Sequence, residues 1–450
     1  MPPVSSLVQT FLPARLGISF RWLLASSWAT NLGDGIAAAA GPLLVASLTA
    51  DPFLISMAAL LGWAPPLICG LYAGVLSDRH DRRRIVLVAN AARLLVLAAL
   101  VVLLATGHLD VQGALIGLGL LATAEVFADN TTSTMTPMLV HRDDLAVANA
   151  RLQTGFITLN QLAGPPLGAA FFAAGRVWPL VAEVVLLCAG ILLVAKVRLP
   201  PHGRAARVAG RPGVDVRPVG EGADASPLGE GAGSAALDAG SAVVDAGSGG
   251  VRREIAEGIH WVVRHAAVRT LCLTILIFNL TFGAAWSVLV LYASERLGLG
   301  AIGFGLITTF SAAGGILGTS LYGWLTARIS LGNLMRIGLI IETLTHLALA
   351  ATTLPWVALP VFFVFGAHAF VWGTTSKVVR QRAVPQHLQG RVDSVNTICV
   401  YGGLVIGSAA GGVLATHYGV AAPFWAAFIG STVFVILLWP QMTRIAHQDH

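Results

Sequence analysis

The sequence predicts an all-α integral membrane protein, twelve transmembrane helices in two six-helix bundles, on three observations. Of its 450 residues 56% are hydrophobic and only 11% charged, against roughly 45–50% apolar and about 25% charged in a soluble domain. Twelve apolar runs approach the roughly 20 residues that a hydrocarbon core about 30 Å thick requires at about 1.5 Å per residue. One polar stretch divides those runs six and six. A soluble chain this apolar could not wrap its core in polar surface, whereas a bilayer accepts apolar side chains on the outer face as well.

The runs are expected near 20–48, 53–77, 84–106, 111–138, 146–174, 177–198, 267–294, 300–326, 331–353, 356–380, 390–417 and 420–442. Pro65 and Pro66 in the second and Pro165 and Pro166 in the fifth are expected to kink helices that their neighbours repair. The domains follow: residues 1–198 and 267–450 form the bundles and 199–266 a cytoplasmic linker. From about His202 to Gly250 the linker is dominated by Gly, Ala, Ser, Pro, Asp and Arg, the composition of a disordered segment. Near its end Ile255, Ile259, Val262 and Val263 recur at helical spacing opposite Arg253, Glu257 and Arg264, which predicts an amphipathic helix on the membrane surface.

Basic loops stay cytoplasmic. With a cytoplasmic N-terminus the inner segments hold Arg15, Arg21, Arg79, Arg82 to Arg84, Arg142, the linker cluster, Arg328, Arg380 and Arg382, while the outer loops keep only Arg176 and Arg296. Both termini are therefore expected in the cytoplasm, in a multi-pass protein of the cell membrane, plasma or inner. No short apolar core with a cleavage site precedes the first run, so no cleaved signal peptide is expected.

Several function classes are excluded. The net charge of +6 lies in clusters between apolar runs and forms no basic face, so nucleic acid is not an expected partner. Cys69, Cys188, Cys272 and Cys399 each fall inside an apolar run at spacings too wide for a metal knuckle or a disulfide framework. The two lysines, Lys196 and Lys377, do not follow glycine, so no phosphate-binding loop exists to use ATP. His-Glu-x-x-His and Gly-x-Ser-x-Gly are absent as well. No enzyme, cofactor or metal is expected; the partners are a small-molecule substrate, protons and the lipid bilayer, and the chain is expected to be a monomer driven by the proton gradient.

The two halves echo one another. Gly164 with Gly168 and Gly407 with Gly411 are Gly-x-x-x-Gly pairs at matching places in the fifth and eleventh runs, as are Gly70 with Gly74 and Gly314 with Gly318 in the second and eighth. Small residues four apart let helices approach closely, so these four spans are expected to pair across the boundary between the halves. Polar residues favour spans one, four, seven and ten: Asn31 and Asp34, Glu125 and Asp129, Asn279 and Trp286, His368 and Trp372. Asp34 and Glu125 each lie about 20 Å from a span end, near the midplane, where inverted-repeat transporters bind cargo.

The sequence resembles the major facilitator superfamily over nearly all of the chain except the linker. Gly74, Asp78, Arg79, Arg82 and Arg83, between the second and third spans, are similar to its signature loop, with Asp81 in place of the usual glycine. A degraded copy runs from Gly323 to Arg328. Gly155, Gly164, Pro165 and Gly168 resemble the glycine-proline motif of drug:proton antiporters, with Ala169 replacing a second glycine. Asn31 to Gly35, Glu125 to Asn130 and Arg380 to Pro385 resemble the branch with macrolide-efflux and enterobactin-exporter relatives. The resemblance implies alternating access, export, and a charge relay of Asp78 and Arg82 with Asp129.

For the cargo path, Asn31, Asn279, Trp286 and Trp372 are substrate-cavity candidates, and Glu125, Asp34 and His368 are proton-coupling candidates. Glu125 is expected to be the main carrier, because an unpaired midplane acid is costly when charged and exchanges protons readily. Asp34 reads either as a coupling acid or as a structural carboxylate on backbone opened by Gly33 and Gly35, and His368 either as a ligand or as a satisfied bundle histidine. Arg93 is expected to pair with an acid, and Glu342 with His346 one turn on. Proton-coupled export of a lipophilic or amphipathic compound (drug, antibiotic or siderophore) is the leading reading; import of a nutrient or siderophore and a non-transporting sensor are the alternatives.

Overall fold

The computed structural model describes residues 14–199 and 248–446; the expected disorder of most of the linker lies outside them. The described chain is helical throughout. Before the linker run α1 (Ile18–Leu48), α2 (Pro52–Arg79), α3 (Arg82–Ala105), α4 (Val111–Leu139), α5 and α6 (Trp178–Val194). After it run α7 (Ala266–Trp286), α8 (Ala301–Thr326), α9 (Leu331–Ala351), α10 (Pro355–Ala383), α11 (Gln389–Tyr418) and α12 (Ala422–Ala446). Among the described residues ten helices are long and apolar enough to cross a membrane. The other two expected runs fall on α6, an apolar helix of 17 residues, and on α5, an α-helix over Leu145–Gly155 that passes through a π-helix, Phe156–Ala163, into an α-helix over Gly164–Ala174.

Local chemistry sets these boundaries. Asp51, Asp81 and Asp110 precede α2, α3 and α4, and their carboxylates accept from the backbone N–H of Phe53 (2.9 Å), Arg84 (3.0 Å) and Gly113 (2.8 Å). The substitution of Asp81 for glycine in the signature loop therefore supplies an N-cap. The two prolines of α5 have no N–H to give to the turn before them, and that turn is the wide π segment. Pro65 and Pro66 leave α2 a single unbroken α-helix. Val88, Leu95, Val185, Leu192, Ile429 and Ile436 are exposed on the outer faces, as a lipid solvent allows.

Helices α2 with α11 and α5 with α8 pack across the two halves, as the repeat predicts. The glycine pairs are not what seats them. A methyl on Gly164 would stand 2.5 Å from Gly35 Cα, and one on Gly168 would strike the backbone of Ile36, so this pair binds α5 to α1. Gly407 and Gly411 take the backbones of Leu280 and Ala284 on α7, and Gly314 and Gly318 those of Phe363 and Ala367 on α10. Gly70 and Gly74 face open space. Three of the four pairs thus weld helices within one half; the cross-half contacts use Ala169 and Pro166 against Gly305, and Ser56 and Phe53 against Gly412.

One apolar cluster joins the halves at one end of the molecule. It holds Val45, Ile55, Leu97 and Leu180 from before the linker with Tyr292, Phe304, Leu349, Phe362 and Phe424 from after it. At the opposite end the clusters separate: Leu16, Phe20 and Val140, and Leu23, Val86 and Met135, lie in the first half, whereas Val262, Val384 and Val392, and Leu271, Met335 and Trp372, lie in the second. The halves share one buried apolar cluster at one end and have separate clusters at the other, the parted end. On the parted side the helix Ser248–Arg264 docks on α11 rather than only lying on a surface. Val262 is buried with Val392 and Val395, and Glu257 pairs with Arg391 at 3.0 Å, while Ile259 and Val263 stay exposed.

Candidate functional site

The most charged interior feature centres on Arg93 of α3, 2% exposed. Its guanidinium forms an ion pair with Asp34 of α1 and lies 3.5 Å from Glu183 of α6, itself 3% exposed. Arg93 is thus the acid partner the sequence predicts. Asp34 is not held by backbone at Gly33 and Gly35, whose amides belong to the helix: Gly33 packs on Glu183 and Gly35 on Asn160. Glu183 was not singled out from sequence, although a lone acid in an apolar 17-residue helix was the signal that could have found it.

Glu125 and Asp129 of α4 lie within electrostatic range of Asp34 and Arg93. Glu125 is half-buried, and Asp129, one turn nearer the parted end, is exposed. Across the gap Tyr401 of α11 faces these two acids, its ring centroid 6.4 Å from that of Trp63 on α2. Four carboxylates therefore surround a single permanent cation, and a proton or a cationic group could be taken up where the acids outnumber it.

No ion pair joins Asp129 to the signature loop among the described residues; the resemblance implies that latch for the outward-open state. Arg82 reaches Asp78 at 3.2 Å and the Ser77 carbonyl at 3.1 Å, and it holds α4 through the Thr134 carbonyl at 3.1 Å and the Met138 sulfur at 2.9 Å. In this structure Arg82 thus meets α4 through backbone and thioether contacts C-terminal to Asp129, and Asp129 lies within electrostatic range of Asp34 and Arg93. Arg83 donates to the Ala195 carbonyl at the end of α6. Arg79 ends α2 exposed, and Gly74 lies a turn inside it.

The second half carries a different cluster. His346 Nε2 lies 2.9 Å from Glu342 Oε1, the pair expected from their spacing, and His368 Nε2 of α10 lies 3.5 Å from Glu342 Oε2. All three residues are buried. Aromatic rings of α7 and α10 wall them in. Trp372 stacks on Phe278 (centroids 5.5 Å), Trp286 lies 4.5 Å from both Phe282 and Phe365, and the edge of Trp286 meets His346 at 6.2 Å. Trp286 and Trp372 thus pack with other rings and with histidine. Asn31 and Asn279 turn their amides back to Ser27 and Ile275 on their own helices, at 2.7 and 2.8 Å. The polar residues expected on spans one, four, seven and ten are joined by Arg93, Glu183, Glu342 and His346 from spans three, six and nine.

The profile of transmembrane secretion effectors matches residues 8–209 and 245–448. The multidrug efflux pump Tap of Mycolicibacterium fortuitum is 25% identical over 90% of this chain and 91% of its own length. Macrolide efflux protein A of Streptococcus pyogenes is 28% identical over 34% of this chain and 38% of its own. Among solved structures an inward-facing bacterial homologue of the iron transporter ferroportin superposes with a TM-score of 0.66 at 16% identity, over 93% of this chain and 98% of that one. A bacterial homologue of the lysosomal transporter Spinster, also inward-facing, gives 0.64 at 13% identity, over 97% and 99%. At those identities the likeness is one of fold. The chain belongs to the transmembrane secretion effector family of major facilitator transporters.

Proposed function

We propose that this transporter exports a small lipophilic or amphipathic compound in exchange for protons, by alternating access between two six-helix bundles of residues 1–198 and 267–450. Counting α5 and α6 as spans gives twelve. The observation that carries the reading is the acid cluster of Asp34, Glu125, Asp129 and Glu183 around Arg93, beside helices joined at one end and parted at the other. With Arg82, Arg83 and Arg391 at the parted end, the positive-inside rule makes that end cytoplasmic, along with both termini, and the state inward-open. Glu125 is the proton carrier: Asp34 and Glu183 are tied to Arg93, and of the two acids with no ion-pair partner among the described residues Glu125 is the half-buried one whereas Asp129 is exposed.

The direction is supported by the efflux relatives, and their names nominate the first cargo to try, a macrolide. The test is vesicles of the full chain under an imposed pH gradient, loaded in turn with a radiolabelled macrolide and a panel of amphipathic dyes. Gradient-driven movement of at least one of them, together with raised accumulation in a deletion strain, is expected. No movement of any compound and unchanged accumulation would overturn the proposal; movement only toward the cytoplasm would favour an importer.

A further inference from the structure

We infer that Glu342, His346 and His368 form a second proton-binding site, in the half of the molecule that lacks the Arg93 cluster, with the proton held between Glu342 Oε2 and His368 Nε2. Tautomers follow from the partners. A carbonyl only accepts, so His368 Nδ1, 3.0 Å from the Phe365 carbonyl, is the N–H donor of that bond. A neutral His368 then presents a bare lone pair at Nε2. That lone pair faces Glu342 Oε2 across 3.5 Å, and both atoms are buried with no hydrogen-bond partner. Two acceptors facing each other in an apolar enclosure are unfavourable, and one proton between them makes a donor and an acceptor of opposite charge.

The other carboxylate oxygen is already anchored. Glu342 Oε1 accepts from His346 Nε2, which leaves His346 Nδ1 as a buried acceptor without a partner. His346 thus positions the carboxylate, and Oε2 is the free valence. Among the described residues no further ion pair reaches the three side chains. Helix α7 contributes the rings of Phe278 and Trp286, and α8 presents Gly314, Gly315 and Gly318 to α10. The described side chains of α12 include no titratable group. Arg296, about one turn beyond His346, donates to the Ala350 and Thr352 carbonyls, Tyr292 is bound to the Leu349 carbonyl, and Arg336, six residues before Glu342 on α9, bonds Asn333 and lies over Trp439. Without a proton the site holds one uncompensated buried carboxylate; with one it is neutral overall.

The test counts protons and needs no cargo. Purified full-length protein in detergent is stepped from about pH 8 to about pH 5 and its uptake read with an indicator dye. His368→Asn keeps an N–H for the Phe365 carbonyl and removes Nε2, and Glu342→Gln removes the charge. Each variant, checked for monodispersity, is expected to take up one proton fewer per chain than wild type. The double variant should lose the same single proton, and the deficit should persist beside Glu125→Gln. Equal uptake by wild type and H368N would overturn the site, as would losses that add in the double variant. If neither variant folds, the wild-type infrared difference spectrum over the same step decides. A buried imidazolium–carboxylate signal that survives E125Q supports the site, and absence of that signal overturns it. Because no transport is measured, failure of export would leave this result standing.

Discussion

The two halves solve the problem of a buried charge in opposite ways. Arg93 and Glu342 are each the twelfth residue of their helix, α3 and α9, so the repeat brings them to equivalent depth. In the first half that position holds a permanent cation, which fixes Asp34 and Glu183 and leaves Glu125 and Asp129 in excess. In the second half it holds an acid whose partners, His346 and His368, are cations only when protonated. Arg93 carries its charge at every pH, whereas the histidines are charged only when they hold a proton. The same helical frame therefore places a permanent cation at this depth in one half and an acid with titratable partners in the other.

The largest expected effect breaks the fixed centre. Arg93→Ala leaves two buried carboxylates without their cation and should cost about 3–5 kcal/mol of stability, seen as loss of monodisperse protein or a large fall in Tm. His346→Leu should cost clearly less, because it leaves one buried carboxylate without its anchor where Arg93→Ala leaves two. Equal losses for the two variants would erase the contrast between the halves.

A smaller and symmetrical effect is expected where the halves share their packing. Gly168→Val drives a side chain into the Ile36 backbone and Gly411→Val into that of Ala284, and each should destabilise by about 1–3 kcal/mol. Gly74→Ala, facing open space, should leave stability within about 0.5 kcal/mol of wild type. A marked loss there would show that α2 packs more tightly than its surroundings indicate. The smallest effect concerns the connection between the halves. Shortening residues 210–245 should leave transport intact, since loop closure changes by only about 0.6 kcal/mol per doubling of length; loss of transport in a folded deletion would assign that segment a role.

Much of the helical frame was legible because lipid demands long apolar runs, and ten of the twelve expected runs coincide with helices of spanning length. Apolar length did not reveal contact. The Gly-x-x-x-Gly spacing identified close helix approach at Gly164 and Gly168, but α1, rather than the opposite half, fills that groove, because a spacing carries no address. The site was half legible for the same reason. Arg93 needed an acid on any reading, yet only three-dimensional packing brings Glu183 from α6 beside it. The pair Glu342 and His346 followed from a one-turn spacing on one helix, whereas His368 joins them across two helices. Asp129 shows that a resemblance carries no conformational state: the relay it implies belongs to the outward-open state, and here Thr134 and Met138 hold Arg82.

The central claim is that the proton driving export is carried by Glu125, the half-buried one of the two acids left over when Arg93 has taken its partners. Glu125→Gln keeps the shape and removes the titration, and the decisive measurement is pH-gradient-driven export of a radiolabelled macrolide, or of whichever panel compound wild type moves, from vesicles of this variant. The expected result is that gradient-driven export is lost while gradient-independent counterflow exchange of the same compound continues. Full retention of gradient-driven export by Glu125→Gln would contradict the account and move the coupling to Asp34 or to the histidine cluster.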